Sequence, residues 1–177
     1  MRFCNLTRAA ALASVIAFGL PAAASAQALA EAVTSGLTGR FETVSGHVLS
    51  AAEGVPEEQY SYRPTDEVRT LGEMFGHVAV AQFAYCAAIS GAELPASARG
   101  AATSKADIVQ RVSASRDFCI GVYRGTTGEA LGGAVSIFGN EDTRVGGLIQ
   151  NLAHSNLHYG NIVTYMRALG LVPPSSE

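Results

Sequence analysis

The segment Thr143 to Leu169, TRVGGLIQNLAHSNLHYGNIVTYMRAL, contains the stretch His154-Ser155-Asn156-Leu157-His158. Its apolar residues recur at helical spacing over more than six turns, with Gly170 and the pair Pro173-Pro174 to close it. In a helix, positions i and i+4 lie one above the other on the same face. Two imidazoles placed so can offer nitrogens to a single metal ion. The chain has 4 histidines, and two of them are spent here. On a helical wheel Gln150, His154, His158, Asn161 and Tyr165 fall within about 80° of one another. Leu148, Leu152, Ile162 and Met166 flank that stripe on one side, Ile149, Ala153 and Leu157 on the other. A polar stripe bracketed by apolar residues is expected to point inward, into the bundle or a pocket opening from it, where it needs partners.

Working outward, three more helices precede this one. Val33, Leu37, Phe41, Val44, Val48 and Ala51 mark a first helix from about Leu29 to Ala52, stopped by Gly54 and Pro56. A polar loop follows, whose Tyr60 and Tyr62 are expected to pin it to the helices. Thr70-Leu71-Gly72-Glu73 has the form of a capping box and opens a second helix through Phe75, Val78, Phe83 and Tyr85. Ser104 with Asp107 opens a third, through Ile108, Val112, Phe118 and Val122 to about Gly125. The glycine-rich stretch Gly128 to Gly147 looks irregular, and no Gly-Lys-Ser/Thr makes it a phosphate loop. No strand-like alternation of useful length is evident. The fold class is therefore all-α, a four-helix bundle.

The N-terminus calls for separate treatment. Arg2 and Arg8 precede the uncharged run Ala9 to Leu20, and Ala24-Ser25-Ala26 offers a small-x-small cleavage site. That is the layout of a secretory signal over residues 1–26, leaving a bundle domain over 27–177 that works outside the cytoplasm, in the periplasm. The apolar run is too short for a stable membrane anchor. With a net charge of −3 and no basic cluster, a nucleic-acid partner has no electrostatic support. Cys86 and Cys119 remain after cleavage, either as a disulfide in an oxidising compartment or as two small buried hydrophobes.

A third ligand for the histidine pair must come from another helix. His77, between Phe75 and Val78, is the best placed, whereas His47 reads as a half-exposed histidine beside Gly46. Three neutral imidazoles and an open position make the pattern of a catalytic zinc-type site. Nitrogen ligands suit zinc, nickel, iron or copper; a divalent ion, zinc or nickel first, is the expected cofactor. Glu73, Asn161 and Tyr165 are weaker candidates for supporting roles, and Glu73 is explained as well by its capping box. A zincin protease is excluded because Ser155 stands where that motif needs Glu. No Gly-x-Ser-x-Gly elbow supports a serine hydrolase.

Two stretches carry a family resemblance. Tyr60-Ser61-Tyr62-Arg63-Pro64 through Arg69-Thr70-Leu71-Gly72-Glu73 to His77, and Leu152-Ala153-His154 through His158-Tyr159-Gly160-Asn161 to Pro173-Pro174, resemble the DinB-like superfamily, close to its secreted branch. The resemblance implies a four-helix bundle, often a homodimer, binding a divalent metal through His77, His154 and His158. It also implies chemistry on a small-molecule substrate, of the thiol-dependent transferase or hydrolase kind, in which the metal activates a low-molecular-weight thiol. The secretory signal departs from that pattern, since it removes the protein from cytosolic thiol pools. Two rivals stand beside the enzyme: a non-catalytic metal- or ligand-binding envelope protein, and a structural dimer with packed histidines.

Overall fold

Two capping boxes fix where helices begin. Thr70 accepts the Glu73 N–H while the Glu73 carboxylate accepts the Thr70 N–H, and Ser104 and Asp107 repeat the arrangement. In the computed structural model, which describes residues 19–177, these boxes open α2 (Leu71–Ser90) and α3 (Lys105–Gly125). α1 spans Gly19–Gly54, and α4 spans Arg144–Ala168 behind the N-cap Thr143. The four helices make the bundle expected from the sequence. α1 and α2 each pack on both α3 and α4, so α1 lies diagonal to α2. Most of the expected signal segment, residues 1–26, lies outside the described residues; from Gly19 the chain already runs as α1, ten residues ahead of the expected start.

The loop between α1 and α2 is held by its tyrosines. Tyr60 donates its hydroxyl to the Ala52 carbonyl at 2.6 Å, and its own carbonyl accepts the Gly72 N–H at 2.8 Å. A Cβ on Gly72 would stand 3.0 Å from the Tyr60 ring, so this close approach excludes a side chain.

The stretch expected to be irregular contains a hairpin. β1 (Ala134–Ile137) pairs antiparallel with β2 (Asn140–Thr143), with Ile137 opposite Asn140. The turn is Phe138-Gly139, both with positive φ, the geometry of a tight two-residue hairpin. Four residues per strand are too few for period-two alternation to stand out in the sequence. Ile137 buries its side chain against the ends of α2 and α4. A Cβ on Gly147 would meet Ile89 at 2.8 Å and Ile137 at 3.2 Å, so glycine lets the hairpin close on the bundle.

The core has two apolar halves. One gathers Val48, Phe75, Val78, Val112 and Ile162; the other gathers Phe41, Ile89, Tyr123, Ile137 and Leu148. Fully buried polar groups lie within the bundle as well. Gln82 of α2 donates to the Ser155 hydroxyl of α4 at 3.3 Å and accepts from the Ser115 hydroxyl of α3 at 2.9 Å. One turn further along α2, Cys86 is disulfide-bonded to Cys119 of α3, their Cα atoms 5.4 Å apart. The Asn151 amide is directed at both sulfurs.

Two outcomes follow for stability. Closing a loop of 33 residues stabilises by about 3–4 kcal/mol in the chain-entropy account, so a reductant should lower the melting midpoint of the same chain by about 7–15 °C, read by circular dichroism. No shift with both thiols titratable would remove the disulfide from the stability account. Gln82→Leu leaves the buried Ser155 hydroxyl without its donor and should cost about 1–3 kcal/mol in urea unfolding.

Candidate metal centre

The groove between α2 and α4 is where the predicted histidines meet. The helices run antiparallel here, since Tyr85 lies beside His154, His77 beside His158, and Tyr165 beside Arg69. Gln82 and Ser155 turn one face of each helix into the core. His77 lies five residues before Gln82 and His154 immediately before Ser155, so both are carried to the rim of the shared face. His77 Nε2 and His158 Nε2 stand 3.1 Å apart. The ring centroids are separated by 5.1 Å for His77–His154 and 4.4 Å for His154–His158. One ring nitrogen from each histidine falls within 4.8 Å of the other two.

These residues fit a metal ion. Two nitrogens bound about 2.05 Å from one tetrahedral ion stand about 3.3 Å apart, close to the His77–His158 separation. His154 Nδ1 is buried with no hydrogen-bond partner, a polar atom that calls for one. Three imidazoles without a carboxylate are a donor set for a borderline divalent ion.

The electrostatics keep the imidazoles neutral. Burial pushes the His154 imidazole down from 6.5 to about 4, helped by His158, His77 and the Arg69 charge. Burial lowers His158 and His77 in the same direction, and Arg69 again contributes to both. Arg69 itself makes no side-chain hydrogen bond or contact ion pair among the described residues. Its positive charge reaches all three imidazoles, although the Glu73 carboxylate also lies within its field.

The other predicted residues have distinct places. The Asn161 amide lies 3.4 Å from His158 Nδ1, on the far side of that ring from His77. Tyr165 donates to the Arg69 carbonyl at 3.2 Å, tying the end of the loop to α4. Glu73 spends its carboxylate on the Thr70 N–H, and that bond holds it below the usual carboxylate range. His47 stacks on Tyr159, away from the cluster. Gln150 turns out to Asp142.

The wheel expects the stripe inside the bundle or in a pocket opening from it, and the structure divides it: Tyr165 is buried, the histidines are half-buried at the rim, and Gln150 is exposed. The buried seam of α4 runs through Leu148, Asn151, Ser155, Tyr159 and Ile162 to Tyr165 and Met166. The flank Ile149, Ala153, Leu157 faces solvent, with Leu157 65 % exposed. Apolar residues are common on surfaces, so apolar flanks alone do not show that a stripe is inside. Sequence reasoning also missed Arg69 and Tyr85. Tyr85 was reachable by spacing, two turns after His77 on the same flank, whereas nothing in the sequence shows how far the Arg69 charge extends.

Comparison with known proteins agrees with the fold and gives the family. A family model described as the DinB superfamily matches residues 40–162, a span that includes all three histidines, and the chain belongs to that superfamily. A DinB-like protein from Bacillus cereus ATCC 10987 shares the fold with a TM-score of 0.63 at 18 % identity, over 74 % of this chain and 89 % of that one. A DinB-like protein from Bacillus subtilis also gives 0.63, at 21 % identity over 76 % and 91 %. No curated protein matches.

The depressed imidazoles give a pH dependence with a definite sign. Between 6.5 and about 4 the unfolded chain protonates His154 while the folded chain holds it neutral, so stability is present above 6.5 and declines as pH falls toward 4. Urea midpoints of the chelator-treated protein should fall across that window, and His154→Gln should flatten the decline. An equal slope in the variant would place the acid sensitivity elsewhere.

Proposed function

We propose that this member of the DinB superfamily is a secreted, periplasmic metal-dependent enzyme, in which His77, His154 and His158 hold a divalent ion, zinc or nickel. The observation that carries the reading is the convergence of three ring nitrogens from two facing helices, with His154 Nδ1 buried and unpartnered. When bound, the ion supplies Lewis acidity and lowers the pKa of a water or thiol at its open position.

The chain's own groups support that chemistry in separate ways. Burial keeps the imidazoles deprotonated at neutral pH, the state in which they ligate. The Asn161 amide beside His158 Nδ1 orients the ring from outside the cluster. The Arg69 field favours an anion in the groove, such as a thiolate or carboxylate. Half-burial leaves one side of the cluster open to a small molecule. The reaction class is nucleophilic transfer or hydrolysis on a small substrate, with a low-molecular-weight thiol as a candidate donor.

Metal analysis of the purified mature protein tests the site. About one divalent ion per chain is expected in the wild type, and almost none in a His154→Ala/His158→Ala double variant of unchanged helix content. Equal, substoichiometric metal in both would sink the proposal. With metal present, turnover of thiol donors or esters separates an enzyme from a metal-binding envelope protein.

A further inference from the structure

Phe138 breaks two rules at once. It occupies the first turn position of the hairpin with φ +50, where Asn, Asp or Gly is favoured and a bulky side chain is strained. It also leaves its phenyl group 64 % exposed. A turn needs neither feature. The ring is nonetheless placed, edge against face, on Tyr85, with centroids 4.9 Å apart and planes at 77°. Tyr85 in turn lies 5.8 Å from the His154 ring. An aromatic line thus runs from the hairpin tip to the histidine cluster.

Exposed apolar residues occur on both helices. Val80, one turn after His77, is 48 % exposed, and Ile149 and Leu157, on either side of His154 along α4, are 51 % and 65 % exposed. Exposed apolar groups scattered singly need no explanation, so the contact of Phe138 with Tyr85 is the feature that calls for one. The Arg69 charge acts at the opposite end of the groove, where Tyr165 meets the start of α2. The histidine cluster therefore has an aromatic pair at its His154 end and the Arg69 charge toward the other.

We propose that Phe138 and Tyr85 form the apolar wall of the substrate pocket, and that the substrate carries an aromatic or similarly flat apolar group beside the polar head that reaches the ion. This rests on the metal-dependent reading above. Phe138 acts as a specificity-determining residue: the hairpin turn accepts strain so that a ring can stand beside the cluster. The flat group stacks against it, and burial of both faces supplies the affinity.

Phe138→Asn in the zinc-loaded mature chain separates the roles. Asn tolerates positive φ, so the turn keeps or gains stability while the ring is lost. The probes are benzohydroxamate and acetohydroxamate, which present the same metal-binding head with and without a phenyl group, followed by calorimetry. The wild type is expected to prefer benzohydroxamate by about tenfold, the scale of one aromatic contact. In the variant that preference should shrink to about threefold or less, with acetohydroxamate affinity, zinc content and melting midpoint maintained or raised. Zinc bound with no phenyl preference in the wild type, or an undiminished preference in the variant, overturns the wall. An undiminished preference together with a shift from dimer to monomer on gel filtration assigns Phe138 to contact between copies instead. Failure of the wild type to bind zinc is a different result, because it removes the metal reading on which the wall depends.

Discussion

A carboxamide buried in the middle of a helix bundle must find partners, and Gln82 finds them on two other helices. Burying such a group unpaired costs about 1–3 kcal/mol, more than most single surface contacts contribute. Rotating α2 or α4 by one residue position, about 100°, would carry Gln82 or Ser155 out of reach. The apolar residues on either side would tolerate many rotations, since Val, Leu and Ile interchange with modest loss. The polar contact does not. It therefore fixes which faces of α2 and α4 look at each other, and the histidines follow from that choice.

The histidine cluster is built on helices for the same reason. Ligands on loops would need their own supports, whereas here the backbone under each imidazole is already fixed by the bundle. Half-burial serves two ends together. It removes enough water to keep the imidazoles neutral, and it leaves one side of the cluster open. The absence of a carboxylate among the three converging residues matters too: a divalent ion there would keep its full charge, beside the additional field of Arg69.

Much of the fold was legible because helices write their periodicity over many residues. α2 and α3 announce their first turns by capping boxes, and α4 its end by Gly170 and two prolines. The histidine triad was legible because two ligands share one helix at i, i+4. What was not legible depends on contacts between distant residues. The hairpin has only four residues per strand, and its turn, Phe138-Gly139, lacks the Asn or Asp that usually marks one. The exposed flank of α4 carries Ile149 and Leu157, so a wheel sees an apolar flank where the bundle has a rim. Cys86 and Cys119 could be paired only once a Cα separation was known, and Gln82 looked like any polar residue within an apolar helix.

The position of the disulfide along α2 has a mechanical consequence. The helix is clamped covalently to α3 at Cys86, while its first turns are held by packing and by hydrogen bonds to the tyrosine loop. Nine residues, about 13 Å of helix, separate that clamp from His77. α2 is thus fixed to α3 by a covalent bond, but to α4 only by packing and hydrogen bonds. The spacing between His77 and the two imidazoles of α4 is accordingly held by noncovalent contacts alone. An ion gripped by all three would act as a strut across the gap, stiffening the same groove through which a ligand has to enter.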